Sequence, residues 1–205
     1  MKKIQLSIFF VAMYFASLAQ FDSTKYVLGG EASYYHNNNT NSQEYTDKSS
    51  SSFFHISPSV ARPIKSNGLI GVQLGFGAGS SKNESDNFES KGTNQHYSLG
   101  VFYQRFYTIT KKVYFNWKAG AQVGVNKSVS EYSVGESFES RTTEHTTSYD
   151  LLVTPGVSWK VMNRLLLNGS IGGASFDFID RSSGGATSFS IFFNRPQFGF
   201  SLLLN

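Results

Sequence analysis

Residues 69–80 read LIGVQLGFGAGS, so that Ile70, Val72, Leu74, Phe76 and Ala78 alternate with Gly71, Gln73, Gly75, Gly77 and Gly79. Alternation with a period of two is the signature of a strand whose faces meet different surroundings. The pattern recurs in eight runs, approximately 24–36, 51–62, 69–80, 94–107, 113–125, 146–160, 165–178 and 187–204. Helical periodicity nowhere takes over, and glycine, aromatic and β-branched residues dominate the runs, as strands prefer for the last two classes.

The connections fall into two kinds. Those after the first, third and fifth runs are long and polar: NNNTNSQEYTDKSS, SKNESDNFESKGT and NKSVSEYSVGESFESRTTEHT; the seventh is the shorter DRSSGGA. Those after the second, fourth and sixth are only PIKSNG, TITKK and VMNR. Long loops at one end and tight turns at the other describe an up-and-down antiparallel meander. Eight such strands can close on themselves and leave no exposed edge.

The two faces indicate the surroundings. In the fifth run Val113, Phe115, Trp117, Ala119, Ala121, Val123 and Val125 share one side, against Tyr114, Asn116, Lys118, Gly120, Gln122 and Gly124. In the sixth, Tyr149, Leu151, Val153, Pro155, Val157 and Trp159 oppose Ser148, Asp150, Leu152, Thr154, Gly156, Ser158 and Lys160. An eight-stranded barrel has a narrow interior that could not hold the bulky set from every strand. Placed outward against lipid, all of it fits, and the small polar face suits the confined lumen. Aromatic residues form two levels: Tyr26, Tyr103, Tyr107, Trp159 and Phe198 near the short-turn ends, and Tyr34, Phe54, Phe76, Tyr97 and Tyr149 near the long-loop ends. Interfacial girdles have this arrangement. The expected fold is all-β, an eight-stranded antiparallel up-and-down transmembrane β-barrel.

The last run contains a conflict. Phe189, Ile191 and Phe193 are odd-numbered, whereas Phe198, Phe200, Leu202 and Leu204 are even, and a regular strand cannot turn both sets to lipid. An irregularity is expected at Asn194-Arg195-Pro196, where proline has no N–H to donate to a ladder.

Composition agrees with a membrane barrel. Only 16% of the 205 residues are charged, well under the roughly 25% of soluble domains, while 19 Gly, 19 Phe and 11 Tyr are present. Cysteine is absent, which excludes disulfides, thiolate metal sites and a catalytic thiol. Residues 1–19 combine Lys2 and Lys3, an apolar stretch from Ile4 to Phe15, and the small residues Ser17 and Ala19. This reads as a secretory signal peptide, leaving residues 20–205 as the barrel. The near-neutral remainder does not suggest a nucleic-acid partner.

The segments FFHISPSVARPIKSNGLIGVQLGFGAG (53–79), YSLGVFYQRFYTITKKVYFNWKAGAQVGVN (97–126) and YDLLVTPGVSWKVMNRLLLNGSIGGA (149–174), in this order and spacing, resemble the small outer-membrane β-barrel domain family of Gram-negative bacteria, the OmpX/OmpA-like barrels. The resemblance implies an outer-membrane location, a lipid environment and a monomeric barrel without enzymatic activity or cofactor. Family members often end on an aromatic residue, whereas this chain ends FGFSLLLN.

Candidate chemistry is sparse. His36, His55, His96 and His145 show no metal-ligand spacing; His96, beside Gln95, could meet a ligand in the barrel mouth or be a hydrogen-bonded interior histidine. Asn83, Glu84, Asp86 and Glu89 could gather calcium or form a solvated loop. Ser148, Asp150 and His145 are the one catalytic set close in sequence, as a lipid-modifying barrel would need. The function expected is a non-enzymatic barrel displaying four surface loops for adhesion, envelope protection or protein contacts. The alternatives are a narrow diffusion channel, the barrel enzyme and a soluble lipocalin-like binder. Inward parity and equal depth place Glu31 on the first strand opposite Lys118 on the fifth, a lumen pair that could close the barrel, with Gln73 and Gln122 beside it.

Overall fold

The structure is a computed structural model that describes residues 24–41, 47–64, 67–85, 88–134, 138–180, 184–193 and 196–204. The expected signal segment, Asp86, Asn194 and Arg195 lie outside these residues.

Ten strands account for the described fold, and no helix occurs among the described residues. They are β1 (Tyr26–Asn41), β2 (Asp47–Ile64), β3 (Gly68–Ser85), β4 (Phe88–Thr108), β5 (Val113–Val134), β6 (Phe138–Met162), β7 (Leu165–Ser170), β8 (Gly173–Asp180), β9 (Ala186–Phe192) and β10 (Gln197–Leu204). Neighbours in sequence pair antiparallel from β1 to β7, β7 pairs with β10, and β10 returns to β1 through Tyr26↔Leu204 to Ser33↔Gln197. The result is a closed ring of eight strand positions, in which β8 prolongs β7 and β9 prolongs β10.

The last two positions are each broken in two. Along β6 the step from Val153 to Val157 covers four residues, and its partners step five, from Gly169 to Ala174. The extra residue reverses side-chain parity: Leu167 points out on β7, and Phe176 and Phe178 point out on β8. Gly172 occupies the break because a Cβ there would lie 2.2 Å from the carbonyl oxygen of Phe192. The sequence reading took residues 165–178 as one strand; the odd-to-even switch between Leu167 and Phe176 was the readable sign of the break.

In the final position, pairing stops at Phe192 and resumes at Gln197. Between Ser170 and Gly173 the seventh position advances three residues while the eighth advances five. Phe189 and Ile191 are 67% and 62% exposed, and Phe198 and Phe200 are 70% and 50% exposed, so both sets face outward. Between Phe192 and Gln197 the outward parity changes from odd to even as the sequence conflict requires, while Asn194 and Arg195, where the irregularity is expected, lie outside the described residues.

Strand length departs most from expectation. β5 has 22 residues and β6 has 25, whereas a strand crosses a bilayer in about 9–11. The connections expected as long loops are mostly continuations of the ladder, ending at the rungs Asn41↔Asp47, Ser85↔Phe88 and Val134↔Phe138. The expected loop 126–145 is thus a paired hairpin over most of its length. These rungs stand beyond the apolar belt, and polar residues are exposed or half-buried on both of their faces. Ser, Thr and Asn can then pair by backbone without the apolar alternation that marks a strand in sequence.

Candidate functional site

The interior is built in three tiers. At the short-turn end, inward residues of seven strands pack an apolar floor: Val27, Ala61, Leu69, Phe102, Phe106, Tyr114, Leu166 and Leu203, all at most 6% exposed. Sequence reasoning assigned small polar residues to the whole inner face and missed this floor. Its signal was available, since the inward parity turns apolar at the short-turn end of nearly every strand. Gly71 makes room for it, because a Cβ there would stand 2.7 Å from Phe102 Cζ.

Interleaved with the upper part of this floor is a belt of buried amides and hydroxyls, and on β4 Gln104 sits between Phe102 and Phe106. Gln104 Nε2 donates to Asn116 Oδ1 (3.1 Å), and Asn116 Nδ2 to Ser158 Oγ (2.8 Å). Ser158 Oγ donates to Asn168 Oδ1 (2.6 Å), and Asn168 Nδ2 to Ser201 Oγ (2.9 Å). This chain runs through β4, β5, β6, β7 and β10, half-way round the ring. Satisfied groups of this kind can be buried without a desolvation cost, and they fix the register of five strands together.

Lys118 and Glu31 stand on the belt. Lys118 Nζ donates to Glu31 Oε2 at 2.9 Å and sits 4.7 Å from the centre of the Phe102 ring. Below the pair, cavities beside Asn116 and beside Phe102 measure only about 20 and 10 Å³, room for about one water each. Above it the lumen widens to about 450 Å³. The pair therefore forms the base of a vestibule.

The vestibule wall is polar. Gln122 Nε2 donates to Asp150 Oδ2 (3.1 Å), Ser148 Oγ donates to the same oxygen (3.3 Å), and Gln73 Nε2 donates to Gln122 Oε1 (3.5 Å). Gln73 and Gln122 thus contact each other, and Gln122 contacts Asp150, above Lys118. His96 Nδ1 is 2.7 Å from Asn126 Oδ1, and its ring lies 6.1 Å from that of His55. His96 is accordingly a hydrogen-bonded interior histidine.

The remaining sequence candidates separate. Ser148 and Asp150 face inward, but His145 is exposed on the opposite parity, so the three do not converge. Glu84 and Glu89 lie on the raised β3–β4 hairpin, where Lys82 bridges both and Lys91 Nζ is 3.1 Å from Glu89. Hydrogen bonds from Lys82 and Lys91 hold the Glu89 carboxyl below its ordinary value, and Glu84 and then Glu89 raise the Lys82 ammonium. Two ammonium groups already occupy these carboxylates. Among the described residues no three acidic or histidine side chains are placed to hold a metal ion.

The outer surface is the inverse of the lumen. Val72, Leu74, Leu99, Val101, Val123, Leu151 and Val153 form an exposed apolar belt. Aromatic contacts bound it above, as Phe76–Tyr97 at 6.1 Å and Tyr149–Phe178 at 6.1 Å, and below, as Tyr103–Trp117 at 5.3 Å.

No family model and no curated protein matches the chain. Among solved structures, Neisserial surface protein A (NspA) is similar over 87% of this chain and 96% of its own, with 17% identity and a TM-score of 0.40. Ail, the attachment invasion locus protein of Yersinia pestis, is similar over 86% and 97%, with 12% identity and a TM-score of 0.34. The translocator domain of the autotransporter NalP from Neisseria meningitidis is similar over 98% and 96%, with 8% identity and a TM-score of 0.37.

Proposed function

We propose that the chain is a non-enzymatic transmembrane barrel of a Gram-negative outer membrane, closed to ions, whose raised hairpins offer a surface to extracellular partners. The observation that carries this reading is the exposed apolar belt present at all eight strand positions, from Leu28 and Val60 through Val72, Leu99, Val123 and Val153 to Phe176 and Phe200, backed by hydrogen-bonded polar groups inside. In water such a belt would be an extended apolar surface far larger than monomers tolerate. In hydrocarbon it is the expected outer wall, and the closed ladder satisfies the backbone groups that lipid cannot.

The apolar floor and the Lys118–Glu31 pair argue against a diffusion channel, since ions would have to cross a layer with room for about one water per cavity. Ladders that continue nine rungs past Val125 in β5–β6 suit contact: paired strands present side chains at fixed spacing and little conformational entropy is lost on binding. Adhesion, envelope protection and protein contact all draw on this property.

The test is expression of the full chain followed by membrane fractionation and planar-bilayer recording. The reading expects recovery in the outer-membrane fraction, extraction only by detergent, and no steady conductance. Solubility without detergent would overturn the membrane assignment, and a steady open pore would overturn the closed lumen.

A further inference from the structure

The two ends of the barrel differ in charge. On the raised hairpins basic residues meet acids: Lys82 bridges Glu84 and Glu89, Lys91 meets Glu89, and Arg141 meets Glu131. At the other end the turn segments RPIKSNG (62–68), RFYTITKKV (105–113) and KVMNRL (160–165) carry two, three and two basic residues and no acid. Lys65 of the first turn, and Asp22 ahead of β1, lie outside the described residues. No ion pair among the described residues involves a basic residue of these turns. Glu31 of β1 is turned into the lumen and held by Lys118.

Two of these cations stand on the outer wall. Arg62 continues the outward parity of Ile56 and Val60 on β2, and Arg105 that of Leu99 and Val101 on β4. Only β3 separates their strands, which are about 10 Å apart. Tyr103 crosses that gap. Its ring lies over Gly68 of β3, where a Cβ would stand 3.3 Å from both Cε2 and the hydroxyl oxygen. The guanidinium carbon of Arg105 sits 5.4 Å from the centre of the Tyr107 ring, and the Tyr107 hydroxyl accepts from Trp117 Nε1 at 3.4 Å. Arg105 Nε is buried without a partner among the described residues. The apolar belt begins at this level, since Ile70, on the rung that joins Arg62 to Tyr103, is an exposed outward residue.

Two guanidinium groups and a phenol on one strip of wall, with no carboxylate beside them, suit a phosphate. A cation that only reaches for water needs no fixed ring beneath it and no second donor alongside; Arg105 has both. We propose that the wall at Arg62, Tyr103 and Arg105 binds the phosphate of an anionic glycerophospholipid, with acyl chains lying on the belt beside Ile70 and Val101. This rests on the transmembrane reading above. The belt margin favours the lipid over free phosphate: Ile70 and Val101 continue the strip into hydrocarbon, where a free ion gains nothing and a lipid buries its chains. The remaining basic turns lie at the same end and raise the local concentration of anionic headgroups.

The test uses the full chain carrying Trp159→Phe, which leaves Trp117, opposite Arg105 in the β4–β5 ladder, as the single tryptophan. It is placed in phosphatidylcholine nanodiscs with a minor fraction of phosphatidylglycerol, and bromine is carried on the chains of one lipid or the other. Quenching of Trp117 should show phosphatidylglycerol enriched about twentyfold over its bulk ratio to phosphatidylcholine. Arg105→Gln and Arg62→Gln should each lower the enrichment about fivefold, the factor for one basic residue at an anionic surface. Arg62 is exposed, so its substitution does not put folding at risk. Lys127→Gln, exposed on the β5 extension, should leave the enrichment unchanged. Inorganic phosphate should lower it no more than chloride at equal ionic strength. Failure to enter nanodiscs would overturn the transmembrane reading and this proposal with it. Phosphatidylglycerol at its bulk ratio around Trp117, an enrichment that survives both arginine substitutions, an equal fall with Lys127→Gln, or specific displacement by inorganic phosphate would overturn this proposal alone.

Discussion

Lys118 Nζ and Glu31 Oε2 are 2.9 Å apart, on strands four positions from one another in a ring of eight. Their contact crosses the lumen and joins opposite walls directly above the amide belt. The side chains are 13% and 28% exposed, so each removes most of the other's need for water without being wholly cut off from it. Glu31→Ala or Lys118→Ala should each cost roughly 1.5–3 kcal/mol, the range for a hydrogen bond to a charged group, below the 3–5 of a fully buried pair. The double variant should cost much less than the two single losses combined, measured by urea unfolding in detergent. Additive losses would mean that the two groups are separately solvated.

The amide belt should be equally intolerant of a gap. Asn116 is 4% exposed and bonds Gln104 on one side and Ser158 on the other. Asn116→Ala leaves Gln104 without its acceptor, and the expected loss is about 1–3 kcal/mol in the same unfolding assay. An unchanged midpoint would show that water replaces the amide freely.

Gly172 in the β7–β8 break and Gly169 near the end of β7 offer a matched comparison. Gly172→Ala would drive a Cβ to within 2.2 Å of the Phe192 carbonyl oxygen, whereas at Gly169 a Cβ meets nothing within 4 Å. Overpacking against backbone should destabilise Gly172→Ala by about 1–3 kcal/mol. Gly169→Ala should stay within about 0.5 kcal/mol of the parent. Equal effects would mean that the break is not held closed at Gly172.

The β3–β4 hairpin should respond to pH at both extremes. Glu89 titrates below its ordinary 4.5 because Lys82 and then Lys91 donate to it, so its contribution is present above 4.5 and is lost as pH falls through the lowered folded value. Lys82 titrates above its ordinary 10.5 because Glu84 and then Glu89 accept from it, so its contribution is present below 10.5 and is lost as pH rises through the raised value. Amide-exchange protection across the hairpin should be flat between these limits. Lys82→Ala should raise the Glu89 carboxyl midpoint seen by NMR. A midpoint that does not move would show that Lys91 alone sets it.

What could be read from the sequence follows from where two solvents meet. Between Val72 and Val153 an exposed apolar surface and a polar lumen lie on opposite faces of each strand, so alternation marked both the strands and their orientation. Counting parity and depth along those strands singled out Glu31 and Lys118, which the structure places in contact. On the raised hairpins both faces are wet, the alternation vanishes, and Lys127 or Thr143 could not be told from loop residues although they sit in a regular ladder. The apolar floor was hidden differently. Phe102, Phe106 and Tyr114 share the inward parity with Gln104, Asn116 and Lys118 and interleave with them, and averaging along a strand conceals the apolar cluster.

The central claim is that odd-numbered side chains of β4, β5 and β6 face hydrocarbon. Because the chain has no cysteine, single cysteines can be introduced at Leu99, Val101, Val123 and Leu151, and at the inward positions Gln73, Ser98, Gln122 and Leu152, each carrying a nitroxide in a reconstituted bilayer. Collision with oxygen, which partitions into the membrane, should be high at the first four positions and low at the other four, alternating residue by residue from Ser98 to Leu99 and from Gln122 to Val123. The opposite phase, or no alternation, would contradict a barrel with lipid on its outer face.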